Sequence, residues 1–218
     1  LRYGYEALGA GPETLAQLAE GGIRFLSELK KAKKPLIIVG QGALARADGA
    51  AVLSLAAKIA GDVGAVGEDW NGFAVLHTAA ARVGGLDLGF VPGEGGRDVA
   101  AMLSGGLDVL VLLGADELPM GEIGDAFTVY VGSHGDAGAH RADVILPGAT
   151  YTEKSGTYVN TEGRVQQTSR AGFAPGEAKE DWAILRALSD VLGKRLPFDS
   201  LGELRARLYA EFPHFAAI

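Results

Sequence analysis

The chain of 218 residues has no cysteine, which excludes disulfides, thiolate nucleophiles, thiolate-held zinc and cysteine-ligated iron-sulfur clusters. It cannot pass electrons through such clusters of its own. Positive charge is also in short supply, with 20 Lys and Arg against 27 Asp and Glu and a formal net charge of −7. Nucleic-acid binding needs clustered cations to neutralise phosphates. The one cluster, Lys30 to Lys34, reads as a solvated helix end and linker, so no nucleic-acid partner is expected. No run approaches the roughly 20 apolar residues that span a bilayer, so direct membrane insertion is not expected either. Walker, Gly-x-Ser-x-Gly, Ser-His-Asp and zinc-binding patterns are missing, which removes the enzymes most easily argued from sequence.

What is present is a core-forming composition. Hydrophobic residues make up 48% of the chain, and its 33 glycines are scattered among apolar runs rather than gathered in linkers, the mark of a globular segment. Residues 1–34 predict connecting helices, over Glu13 to Glu20 and Ile23 to Lys31. Residues 35–170 alternate strand and helix signals in the manner of parallel βαβ units. Strands are predicted at Leu36 to Val39, Val63 to Val66, Val109 to Leu113, Phe127 to Val131 and Val144 to Leu146. Helices are predicted over Ala47 to Ala60, Asn71 to Arg82 and Arg97 to Ser104. The expected fold is α/β, a Rossmann-like, mostly parallel sheet of five strands with helices on both faces. A β-hairpin follows, with Thr157 to Val159 as one arm, Asn160 to Gly163 as the turn and Arg164 to Thr168 as the return. Residues 171–218 predict two terminal helices packed on this domain. One carries an apolar stripe of Trp182, Leu185, Leu188, Val191 and Leu192; the other has Ser200 and Glu203 at capping-box spacing and Pro213 as its stop.

Several loops carry residue types suited to ligands. Gly40-Gln-Gly42-Ala-Leu-Ala45 matches the Gly-x-Gly-x-x-Ala form of a dinucleotide fingerprint, in which backbone N–H groups approach a pyrophosphate at a helix start. Arg46 to Asp48 place the long helix too late for a tight phosphate turn, and Asp62 does not end a convincing second strand. A plain βα turn is the better reading of Gly40 and Gly42. Asp116 and Glu117 follow the strongest strand, where Asp116 suits the cap of the next turn. His134, Asp136 and His140 offer ligand types without a distinctive metal spacing. Glu153, Lys154, Thr157, Asn160, Glu162 and Arg164 form the densest polar group, which reads as hairpin bracing with Arg164 paired to a carboxylate. His77 and His214 are isolated. No catalytic and no metal-binding residue is assigned.

The segment from Arg141 to Gln167, RADVILPGATYTEKSGTYVNTEGRVQQ, resembles the molybdopterin oxidoreductase superfamily, where an ADVVLP…E…GT…N…EGR pattern recurs in this order. Within it the chain is most similar to the large, G-type iron-sulfur subunits in the peripheral arm of NADH-quinone oxidoreductase, respiratory complex I. The supporting words are Ala32-Lys-Lys-Pro35, Asp48-Gly-Ala-Ala51, Leu86-Asp-Leu-Gly89, Leu112-Leu-Gly-Ala-Asp116, His134-Gly-Asp136, Tyr151-Thr-Glu-Lys154, Glu180-Asp-Trp182 and Arg186-Ala-Leu-Ser189.

The resemblance implies a parent enzyme passing electrons from NADH to quinone. It implies 2Fe-2S and 4Fe-4S clusters in an upstream part of the same polypeptide, and Leu1 in place of Met fits a piece of a longer chain. Other peripheral-arm subunits and the cluster-bearing N-terminal part are the implied partners. The implied location is the cytoplasmic face of a bacterial inner membrane or the mitochondrial matrix side. Cofactor-binding relatives have Gly-x-Asn-Pro where this chain has Gly114-Ala-Asp116-Glu117, and acidic and threonine residues where it has Gly135-Asp136-Ala137-Gly138. Two like charges about 4 Å apart cost on the order of several kcal/mol at intermediate dielectric, so carboxylates where phosphate would approach argue against a retained cofactor. Gly40, Gly42, Asp116, Glu117, Asp136 and Arg164 are then vestigial positions, and the segment is expected to be structural and non-catalytic. Two other readings remain: part of a catalytic molybdopterin-dependent oxidoreductase, or a free-standing nucleotide-binding module.

Overall fold

The computed structural model describes residues 2–218, which form two compact units. The first runs up to Val83 and includes Thr161–Gly163; the second comprises Gly84–Asn160 and Arg164–Ile218.

In the first unit, Pro12 starts helix α1 (Pro12–Ala19), where a missing N–H costs nothing, and Gly21 at φ +85° ends the turn beyond it. Helix α2 (Phe25–Lys31) closes with Lys30 and Lys31 on its carbonyl end, the favourable side of the helix dipole. Strand β1 (Ile37–Gly40) leads through the one-turn helix α3 (Gln41–Leu44) into α4 (Gly49–Asp62). Helix α4 buries Ala56, Ile59 and Ala60, and the last two pack with Val63, Ala19, Leu26 and Ala65 as the unit's core.

Two sequence expectations fail beside this core. The predicted strand over Val63 to Val66 is instead the C-cap of α4 and a turn, followed by a single bridge between Val66 and Asn71. The predicted helix from Asn71 is instead strand β2 (Phe73–Leu76), parallel to β1 in register Ile37 with Phe73 and Gly40 with Leu76. The Asn71 side chain does accept a backbone N–H, that of Phe73 at 3.1 Å, but as a strand lead-in rather than a helix cap. A four-residue apolar run satisfies either periodicity, and pairing with β1 decides between them.

Helix α5 (Arg82–Asp87) spans the boundary between the units, and in the second unit Asp98 caps helix α6 (Val99–Leu103) by accepting the Ala101 N–H at 2.8 Å. Strands β3 (Val109–Leu113), β4 (Phe127–Gly132) and β5 (Val144–Pro147) form a three-stranded parallel sheet in chain order, with helix α7 (Ala137–Arg141) between the last two. Leu110, Leu112, Ile123, Ala126 and Tyr130 make the core. The alternate residues of β3, Val109, Val111 and Leu113, are exposed. A parallel sheet is ordinarily covered on both faces, so this row is hydrocarbon left without a cover. The parallel strands of the α/β fold lie as a pair, β1-β2, in the first unit and a triplet, β3-β4-β5, in the second.

The hairpin follows its sequence signal: β6 (Thr157–Val159) pairs antiparallel with β7 (Val165–Gln167), and Gly163 takes φ +79° in the turn. Helix α8 (Asp181–Val191) departs from expectation. It buries Arg186 and Ser189, while Val191 of the predicted stripe is 85% exposed and Leu192 is exposed too. Its inner face is therefore polar toward its carboxyl end. Helix α9 (Leu201–Glu211) is capped by Ser200, which accepts the Glu203 N–H at 3.2 Å. The return bond of the predicted capping box goes one residue further back: Glu203 accepts from Asp199 N, not from Ser200.

Candidate functional site

The strand ends of the triple sheet bring three of the sequence candidates to one place. Gly114 at φ +60° turns the chain out of β3 and donates its N–H to Val131 O at 2.7 Å. That turn delivers Asp116 to the start of α7, where its carboxylate accepts the backbone N–H of Gly138. Asp136 occupies the cap position of α7 yet makes no capping bond. The distant aspartate does the work of the local one. A free N–H at a helix start is a favourable seat for a carboxylate, and Asp116 fills it without any ligand.

Between these carboxylates lies Tyr130, the tyrosine of β4, with only 3% of its surface exposed. Burial first, and then the charges of Asp116 and Asp136, push its phenol above the ordinary tyrosine range. Its ring fixes the identity of Gly138: a Cβ there would stand 2.7 Å from the tyrosine Cε2 and 2.8 Å from the Asp116 carboxylate. Glu117, in the same loop, is exposed. Asp116, Glu117 and Asp136 thus gather three carboxylates at the ends of β3 and β4, and Asp116 ties the two loops together through the Gly138 N–H.

The remaining candidates are elsewhere. Gly40 ends β1, and Gly42 lies within α3. A Cβ at either would meet nothing within 4 Å, so neither glycine marks a close backbone approach. Gln41 between them ties its side-chain oxygen to Thr78, accepting from the backbone N at 2.9 Å and from the hydroxyl at 3.1 Å. The long helix after this turn begins only at Gly49, behind the bidentate Arg46–Asp48 pair at 2.7 Å and 3.0 Å. In the hairpin, the backbone N–H of Arg164 donates to Asn160 Oδ1 at 2.9 Å. Its guanidinium pairs with no carboxylate among the described residues, so the predicted cross-hairpin ion pair does not form. Glu153 accepts the Thr150 N–H at 3.1 Å, and Lys154 pairs with Asp181 at the start of α8. The dense polar group is therefore spread over separate bracing contacts.

His134 Nδ1 meets the Ser133 hydroxyl at 2.9 Å. Among the described residues no group of three or more His, Cys, Asp or Glu side chains could hold a metal, and no helix is long and apolar enough to cross a membrane. Two features escape a reading of the sequence. Tyr130 looks like one more apolar strand position, and Gly138 carries the hint, as a small residue within α7. Arg186 lies inside a family motif but gives no sign of its burial.

Comparison with known proteins adds to this geometry. The family model described as molybdopterin oxidoreductase matches residues 1–191. Similar curated relatives include the NADH-ubiquinone oxidoreductase 75 kDa subunit of Reclinomonas americana, 45% identical over the whole chain and 32% of its own length. The G-type subunit of the Rickettsia bellii NADH-quinone oxidoreductase is 45% identical over 99% of the chain and 31% of the relative. NADH dehydrogenase [ubiquinone] iron-sulfur protein 1 of Solanum tuberosum is 45% identical over 99% of the chain and 29% of the relative. The chain spans about a third of the length of these relatives.

Proposed function

The chain belongs to the molybdopterin oxidoreductase family, and we propose that it is a cofactor-free, structural segment of an NADH-quinone oxidoreductase G-type subunit. The observation that carries this reading is the Asp116 carboxylate on the Gly138 N–H. A phosphate-bearing pterin nucleotide would have to compete for that donor against a tethered anion, beside the further carboxylates of Glu117 and Asp136. The chain also supplies no cysteine to ligate a metal. No step of chemistry is assigned to its residues.

In this reading electrons pass from NADH to quinone through iron-sulfur clusters held elsewhere in the same polypeptide. The segment contributes shape. Its partners are the cluster-bearing part of its own subunit and neighbouring peripheral-arm subunits, at the cytoplasmic face of a bacterial membrane or the matrix side of a mitochondrial one. The uncovered apolar row of β3 supports such packing, since exposed hydrocarbon on a parallel sheet favours a protein cover.

Elemental and pterin analysis of the purified complex tests the reading. Molybdenum, tungsten and oxidised pterin are each expected far below one per complex. One pterin and one metal per complex, lost together on replacing the loops at 114–119 and 133–136, would overturn it. A Val111→Asp variant supplies the positive arm: the yield of assembled complex falls while electron transfer per assembled complex stays unchanged.

A further inference from the structure

Beside the hairpin and the last two helices lies a cavity of about 380 Å³. Its wall is of two kinds. Leu88, Leu201, Leu204 and Leu208 line it with hydrocarbon, and Arg205 of α9 is part of the same wall. Arg205 Nε and Nη2 are closed off from water and meet no acceptor, and the residue enters no ion pair among the described residues. Buried donors almost always find partners, and an unmatched cationic pair is the costliest exception.

The other charges on the wall are already engaged. Lys154 pairs with Asp181, and the Glu180 carboxylate accepts the Trp182 indole N–H at 3.0 Å. Arg205 is therefore the cation on this wall that contacts no carboxylate, next to an apolar surface, the paired Asp181 and a Glu180 bonded here to a neutral donor. The Nε–Nη2 edge is the edge of a guanidinium that takes a planar carboxylate through two parallel bonds. A dianionic phosphate would bring surplus charge toward Glu180 and Asp181, whereas a monoanion balances Arg205 alone.

We propose that this cavity binds a small amphiphilic carboxylate, its head group paired with Arg205 and its apolar body laid against the leucines of α9. Because both nitrogens are shielded, the flexible arginine side chain rotates toward the cavity as the ligand enters. The site is separate from the strand-end loops and does not depend on the structural role proposed for them.

Calorimetric titration of the full chain with octanoate, 1-octanol and inorganic phosphate tests this. Octanoate should saturate at one per chain and bind at least about tenfold more tightly than either control, a difference of about 1.4 kcal/mol. Arg205→Gln should remove that preference without lowering the thermal unfolding midpoint, because it deletes a charge that has no partner. Leu204→Trp, which fills the cavity, should abolish binding of octanoate and octanol alike. The idea fails if octanoate does not bind, if octanol or phosphate binds as well as octanoate, or if Arg205→Gln leaves the preference intact. The three-ligand comparison on the unaltered chain decides the point even where a variant does not fold.

Discussion

Arg186 on α8 holds the carboxylate of Asp199 at 2.6 Å, across the turn that joins α8 to α9. The same guanidinium donates through Nε to Phe198 O at 2.8 Å and reaches Asp190 at 2.7 Å, while Arg195 meets Asp199 from outside at 2.7 Å. A buried cation with each of its three nitrogens matched costs far less than one without partners. The turn is thus tied down by charge and not by a hydrophobic plug.

Acid should loosen this tie. Arg186 first and Arg195 second hold the Asp199 carboxyl below its ordinary value. A carboxylate depressed by folding adds stability above its unfolded pKa, about 3.9, and that contribution disappears as pH falls through the folded value. The gap in denaturation midpoint between the unaltered chain and Asp199→Asn should be full at neutral pH and close on acidification below the ordinary carboxylate range. A gap that stays constant down to strong acid would refute the pairing.

Removing the carboxylate of Asp116 should leave the Gly138 N–H without its acceptor. By comparison with lost helix caps, Asp116→Ala should cost about 1 kcal/mol, read from urea unfolding at neutral pH. Asp116→Asn keeps an oxygen in place and should recover part of that loss. Equal stability of all three proteins would mean that the contact contributes nothing.

Alkali should act through Tyr130. Its phenol is raised by burial and by the two aspartates, so the stability linked to it is complete below the unfolded pKa of about 10 and is lost as pH rises through the higher folded value. Tyr130→Phe should therefore narrow the fall in unfolding midpoint above about pH 10, while behaving like the parent at pH 7. Spectroscopic titration of the phenolates should show one late-ionising tyrosine that Asp116→Asn shifts downward.

Much of the architecture is legible because the signals are strong and local. Val109 to Leu113 is continuously apolar, with β-branched Val109 and Val111, and it is β3 to the residue. Asn160 to Gly163 names its turn through a glycine that does adopt positive φ. What is not legible depends on distant pairing. Phe73 to Leu76 has no period long enough to separate strand from helix, so its neighbour β1 settles the matter. The inner face of α8 is hidden for a related reason: Arg186 is buried only because Phe198 and Asp199 return to meet it. Hydropathy counts residues along one helix and cannot see that return. At the strand ends, the sequence marks Asp116 as a cap but cannot reveal that it reaches α7, 22 residues away at Gly138.

Asp116 is also an occupant that cannot diffuse away. A group tethered in the right place competes at an effective concentration on the order of millimolar, so a free phosphate would have to outbid it continuously rather than once. Strengthening donors elsewhere around the loops would therefore do little for nucleotide affinity while this side chain persists. Any phosphate approaching the Gly138 N–H must first displace this carboxylate.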